Sequence, residues 1–293
     1  MKKKLTIVLL LTAALLSSCS VARYARGPET AEIESIAGYD GIIRTVTYPA
    51  SEPGLSHRRM TLYLPPSYEQ DTTTRYPVLY LLHGARGNEV TWVERGDAFR
   101  SLDSLRRAGA AEDFILVLPN MNHYFGDDDY RNGRPVNATR AFWTQDGEVE
   151  RHFVQDVVLR VDSLYRTVPS KEGRAIAGMS TGALQALFLS ATYPDCFDAV
   201  GLFSPYARAH IGSIGHLDIY GGRNRKLRRQ FENPPSVYSI YIGKADFFYP
   251  HMCLFDGYLT REGYPHTFDV YPGGHEWYNW KAFLIRFYED IFR

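Results

Sequence analysis

The chain has 293 residues, of which 45% are hydrophobic and 23% charged, a composition that can bury a sizeable core and excludes long disorder. Its 33 basic and 33 acidic residues balance, so charge gives no case for nucleic acid or an anionic surface as partner. Aromatic residues reach 14%, with 21 Tyr; beyond core packing, such rings suit binding of sugars or phenolic groups.

In chain order, Lys2-Lys3-Lys4 comes first, followed by an apolar run from Leu5 to Leu16. That run is well short of the roughly 20 residues that span a bilayer. Charge, a short apolar run and small residues make a secretory signal. Leu16-Ser17-Ser18-Cys19 resembles the bacterial lipobox, which implies lipidation of Cys19 as the first mature residue and membrane attachment through that anchor. Residues 1–19 are therefore expected to be a lipoprotein signal, 20–40 a polar tether without periodicity, and 41–293 one domain. Export implies an oxidising compartment, where Cys196 and Cys253 could pair; their settings suit small, buried hydrophobes better. There is no CxxC and no zinc-type spacing. Asn137-Ala138-Thr139 matches a glycosylation sequon, a use that a bacterial lipobox argues against.

Arg44–Tyr48 and Arg59–Leu64 alternate as half-exposed antiparallel strands do. Val78–Leu82 and Phe114–Leu118 are continuous apolar runs, suited to strands buried on both faces. A helical pattern covers Phe99 to Ala108 between them. A polar stretch with interspersed aromatics, Asn120 to Gln145, breaks the rhythm. Phe153, Val157, Val161 and Leu164 then mark a helix. Ala175–Ala177 reads as a strand, and Leu184, Leu187 and Phe188 mark an amphipathic helix after it. Val200–Phe203, Val237–Ile242 and Phe268–Tyr271 are further strands, and Trp280, Phe283, Leu284 and Phe287 mark a last helix. Such alternation predicts an α/β fold with a mainly parallel central sheet and helices on both faces.

Gly178-Met179-Ser180-Thr181-Gly182 sits between a strand and a helix, the setting of a nucleophile elbow. A turn that tight needs glycine on either side of Ser180. It exposes the hydroxyl at a helix N-terminus that favours developing negative charge. A serine needs a base, and the base an orienting acid, in the chain order Ser, acid, His. His275 follows Pro272-Gly273-Gly274, between the last strand and the last helix, at the carboxyl edge of the sheet. His251 lies in a helical stretch, His266 enters a strand from its far end, and His210 and His216 lie in an earlier loop. Asp246 follows the penultimate strand and is the first choice for the acid, with Asp218 second. Asp269 lies inside a strand, and Glu276 adjoins His275 too closely to orient its ring. Backbone N–H groups of Thr181 and of Ala85, in His83-Gly84-Ala85, are the candidate oxyanion donors. His83 is expected to hold that loop by hydrogen bonding rather than to perform chemistry.

Five segments occurring in order carry a resemblance: Leu62–Tyr68, Tyr76–Gly84, Ala175–Gly182, Phe203–Pro205 and Gly273–Trp277. With them, the chain from about residue 42 to its end resembles the esterase family of esterase D, feruloyl esterases, mycolyltransferases and enterochelin-esterase-like proteins. The resemblance implies an α/β-hydrolase fold with no metal or nucleotide cofactor. It carries over Ser180, Asp246 and His275 as a triad, with Ala85 and Thr181 as oxyanion donors. The family often has Ser-Met-Gly-Gly where this chain has Ser180-Thr181-Gly182-Ala183; a backbone donor tolerates Thr, so the departure bears on pocket shape. The acidic run Asp127-Asp128-Asp129 reads as a solvated loop. The expected function is hydrolysis of carboxylic esters through an acyl-enzyme, on a small ester or an acylated polysaccharide of feruloyl or acetyl type, in the bacterial cell envelope. The rival expectations are acyl transfer to a sugar and a catalytically silent carbohydrate-binding lipoprotein.

Overall fold

The structure, a computed structural model, describes residues 38–52, 55, 57–122, 147–206 and 217–293, with backbone alone at 217 and 218. Cys19, the signal segment, most of the tether, the Asp127–Asp129 run, the sequon, His210 and His216 lie outside the described residues.

Eight strands form one sheet in the order β1-β2-β4-β3-β5-β6-β7-β8. They are β1 (Ile42–Pro49), β2 (His57–Leu64), β3 (Val78–Leu82), β4 (Ile115–Pro119), β5 (Arg174–Met179), β6 (Ala199–Phe203), β7 (Val237–Gly243) and β8 (Thr267–Tyr271). β2 alone runs against the others, being antiparallel to both β1 and β4, and β3 to β8 are mutually parallel. This is the α/β-hydrolase fold, and the expected fold class holds.

The continuous apolar runs are explained by burial on two faces. In β3, Val78, Tyr80 and Leu82 belong to one core and Leu79 and Leu81 to the other. The period of two along a strand sends alternate side chains into separate layers. One layer is closed by α2 (Ala98–Arg107) and α9 (Trp277–Asp290); the other by α5 (Thr181–Thr192) and α7 (Arg223–Gln230) among others. Gly201 lets α9 approach, because a Cβ there would lie 2.9 Å from the Phe287 ring.

Three local expectations change. β2 is buried from Met60 onward rather than half exposed, because it pairs on both edges and its faces are covered. Helix α5 is not amphipathic: Gly182 through Ala191 are all buried, since α7 packs over the side that would face water. The helix expected around Phe153 is broken into α3 (Glu148–Phe153) and α4 (Leu159–Leu164) by a π-helical turn at Val154–Val158. That extra residue rotates the following stripe, leaving Leu164 exposed. The remaining α-helices among the described residues are α1 (Thr91–Glu94), α6 (Leu217–Tyr220) and α8 (Tyr249–Glu262). Cys253 lies on α8, and both it and Cys196 are free thiols. Burial raises the Cys196 pKa to about 11, which keeps it a protonated, inert thiol.

Candidate active site

The carboxyl ends of the parallel strands share one edge of the sheet, so the chain leaves β3, β4, β5, β6, β7 and β8 on the same side. His83, Asn120, Ser180, Ser204, Asp246 and His275 all follow strand ends there.

Ser180 links β5 to α5 with φ 53° and ψ −114°. That is a costly conformation for a residue with a side chain, and it persists only where the surroundings impose it. Here the backbone does so. The Ser180 N–H donates to the Phe203 carbonyl at 2.8 Å, and the Ser180 carbonyl accepts from Leu184 N–H at 3.1 Å. A Cβ on Gly178 would lie 2.5 Å from the Gly182 carbonyl carbon, and one on Gly182 would lie 2.4 Å from the His83 oxygen. Neither contact is compatible with any side chain, which is why both positions are glycine.

The two loops that carry Asp246 and His275 are tied together by backbone bonds. Lys244 N–H donates to Tyr271 O at 2.7 Å, and Ala245 N–H to Gly273 O at 2.8 Å. Asn279 Nδ2 donates to Gly274 O at 2.9 Å. Glu276 is turned away from the imidazole, its Oε1 accepting the Gly274 N–H at 2.9 Å. The result is a continuous chain of side-chain hydrogen bonds. His275 Nδ1 lies 2.8 Å from Asp246 Oδ2, and His275 Nε2 lies 2.9 Å from Ser180 Oγ. With Nδ1–H donating to the carboxylate, Nε2 is left to accept the serine proton. Asp246 Oδ1 accepts the Phe248 N–H at 2.8 Å. Its side chain is 0% exposed and that of His275 4%, so the carboxylate's partners are supplied by protein rather than water.

The imidazole is boxed by rings. Phe247, Trp280 and Phe248 lie 4.5, 4.9 and 5.4 Å from it, the latter two edge-to-face. Trp280 Nε1 donates to Ser204 Oγ at 3.2 Å. Sequence reasoning missed this box; the short Phe203-Ser204-Pro205 segment hinted at Ser204, but nothing marked Phe247, Phe248 or Trp280 as neighbours of His275.

Thr181 is the first residue of α5, so its N–H has no carbonyl within the helix. The Ala85 N–H makes no hydrogen bond among the described residues. The His83-Gly84 backbone abuts the serine turn: Leu82 is in register with Gly178, and a Cβ on Gly84 would lie 3.4 Å from Met179. Thr181 directly follows Ser180 and the strand end leading to Ala85 packs against the serine turn, while the side chains brought into hydrogen-bond contact are Ser180, His275 and Asp246.

The other described histidine candidates, His251 and His266, are engaged elsewhere. His266 bonds Tyr264 O and Asp256 and stands before β8; His251 is on α8 against Tyr206. Asp269 lies inside β8. Asp218 lies in α6, its side chain outside the described residues. Among the described residues, no group of three or more His, Cys, Asp or Glu could hold a metal ion. No helix among them is long and apolar enough to cross a membrane. The first residues of the expected loop insert, Asn120 and Asn122, are buried.

The family model described as "Putative esterase" matches residues 55–239. An endo-1,4-beta-xylanase/feruloyl esterase of Xylanibacter ruminicola is 27% identical over 209 residues, covering 70% of this chain and 25% of its own length. An esterase of Mycobacterium tuberculosis is 29% identical over 254 residues, covering 74% of this chain and 52% of its own. The chain thus spans a quarter and about half of these two relatives. A solved structure of a ferulic acid esterase superposes with a TM-score of 0.70 at 25% identity, covering 87% of this chain and 99% of the other.

Proposed function

The chain belongs to the esterase family whose pattern it matches over residues 55–239, and from that premise we propose that it is a serine carboxylic ester hydrolase. The observation that carries the proposal is the hydrogen-bonded series Ser180, His275, Asp246. Ser180 Oγ attacks the ester carbonyl carbon while His275 Nε2 takes its proton. Asp246 holds the imidazole with its proton on Nδ1 and stabilises the imidazolium that forms. The oxygen of the tetrahedral intermediate takes hydrogen bonds from the Ala85 and Thr181 N–H groups, at the positive end of α5. His275 then gives its proton to the departing alcohol, leaving an acyl-serine. Water, activated by the same nitrogen, attacks that ester, releases the carboxylic acid and restores the hydroxyl.

The substrate class proposed is esters of carbohydrates, with a feruloyl or acetyl acyl group. Two relatives carrying feruloyl or ferulic acid esterase in their names support it. So do the partly buried rings of Phe247 and Phe248 beside His275, which suit flat or ring-shaped groups. Replacing Ser180 by Ala is expected to lower turnover of 4-nitrophenyl acetate by about 10⁶-fold and to abolish labelling by a fluorophosphonate. A variant with ordinary turnover removes Ser180 from the reaction. Rates on feruloyl, acetyl and short-chain aryl esters decide the acyl group. Cell-envelope anchoring through Cys19 is part of the same proposal: Cys19→Ser should release the protein from membranes, and its retention there would reject a lipid anchor.

A further inference from the structure

The Gly84–Ala85 peptide contains one of the two proposed oxyanion donors, and its carbonyl side is held twice. Gly84 O lies 2.8 Å from His83 Nδ1 and accepts the Gly87 N–H at 3.0 Å. The other ring nitrogen of His83 accepts the Met121 N–H at 2.9 Å. A backbone N–H can only donate, so Nε2 carries no proton. The proton of neutral His83 then sits on Nδ1, where it donates to Gly84 O. The ring is wedged in place as well: a Cβ on Gly87 would lie 2.9 Å from His83 Cβ and Nδ1.

A trans peptide is planar, with N–H and C=O pointing in opposite directions. Fixing Gly84 O on its two donors therefore fixes the direction of the Ala85 N–H, which meets no acceptor among the described residues. We infer that His83 is a positioning residue for oxyanion stabilisation: it sets the plane of the Gly84–Ala85 peptide and so aims the Ala85 N–H at the developing alkoxide. It touches no reacting atom itself. Met121 in turn is held from both sides. Asn120 Nδ2 donates to Glu89 Oε2 at 2.7 Å, and Asn122 Nδ2 donates to Gly87 O at 2.6 Å. The strap after β4 thus holds both ends of the turn that follows β3. Within that turn Arg86 has φ 64°, a strained conformation for a residue with a Cβ. A turn under that strain relaxes once the bonds that oppose it are removed.

The inference rests on the reaction proposed above and separates from it by experiment. An interaction made only with the transition state appears in kcat and spares KM. His83→Ala is expected to lower kcat for 4-nitrophenyl acetate by about 10²-fold, the scale of one lost oxyanion donor, with KM within threefold or so. The affinity of an aryl trifluoromethyl ketone, which adds to the serine as a tetrahedral alkoxide, should fall in parallel. The affinity of the product carboxylate should not. His83→Gln, whose amide can donate to Gly84 O and accept from Met121, is expected to recover at least about tenfold of the loss. A folded His83→Ala with kcat near that of the parent, or with unchanged ketone affinity, overturns the assignment. So does a loss carried by KM alone. If His83→Ala does not fold, Gly87→Ala, which displaces the ring without removing it, must show the same split between kcat and KM or the inference fails. Ser180→Ala, measured alongside, keeps the two levels apart. If it is inactive while His83→Ala is unimpaired, only this inference falls; if it is active, the reaction itself is wrong.

Discussion

The serine turn and the pair of loops opposite it are fixed by opposite means. Ser180 is held by what its neighbours lack: Gly178 and Gly182 leave no room for a Cβ, and the backbone of His83 fills the space at 2.4 Å. His275 is held by what its neighbours have: the Phe247, Phe248 and Trp280 rings, the Asp246 carboxylate and the bonds that tie its loop to the Asp246 loop. The difference decides how each half responds to substitution. A steric device fails when an atom is added. A packed, hydrogen-bonded device fails when an atom is removed or a donor is swapped for an acceptor.

Among the changes that probe this contrast, the largest expected effect tests the second device. Asp246→Asn keeps the shape and can keep the Phe248 N–H bond at Oδ1. Its amide then faces His275 Nδ1 as a donor. The imidazole must shift its proton to Nε2, the nitrogen 2.9 Å from Ser180 Oγ, and can no longer accept the serine proton. A fall of about 10⁴ in kcat is expected, as for this change in a serine protease triad. The melting temperature should move little; if activity stays within tenfold, the carboxylate does not set the tautomer.

The steric device is tested by Gly182→Ala. The added methyl carbon would meet two main-chain oxygens, 2.4 Å away in His83 and 2.6 Å away in Leu82. Backbone must move to relieve this, and a loss of about 3 kcal/mol of stability is expected. For a domain this size that lowers the melting temperature by about 6–12 °C. An unchanged melting curve would show that the helix and β3 can separate freely.

The same contrast governs what could be learned from residue order alone. Gly178-x-Ser180-x-Gly182 is legible because its residues lie within five positions and each end admits only glycine, although the backbone that crowds Gly182 belongs to the distant end of β3. The buried strands are legible because two-sided burial writes a continuous apolar run, as in Val78–Leu82. Asp246 and His275 could be placed because they follow the last two strand ends. The aromatic box could not: Phe247, Trp280 and Ser204 come together only through the order of β6, β7 and β8. The strap at Asn120–Asn122 opens the polar stretch that breaks the strand–helix rhythm and showed no role of its own in the sequence, yet its groups are buried and pair with Gly87 and Glu89. Helix α5 misled in the other direction, since its outward side is covered by α7, a helix so rich in Arg and Lys that no apolar stripe announces it.

The smallest expected effect sharpens the comparison most, because it splits the box into its parts. Trp280 gives His275 a ring at 4.9 Å and gives Ser204 Oγ a hydrogen bond at 3.2 Å. Trp280→Phe removes the bond and part of the ring; Ser204→Ala removes the bond and leaves the ring. Each loses about 1 kcal/mol from the hydrogen bond, a drop of about 2–4 °C in melting temperature. If packing of the rings positions the imidazole, only Trp280→Phe should also lower kcat, by about threefold to tenfold, the effect of about 1 kcal/mol on a barrier. Equal losses of kcat in both variants would instead assign the positioning to the Ser204 bond, which holds β6 to α9 beneath the histidine. The box would then act through the backbone, and the two halves of the site would be less unlike than their contacts suggest.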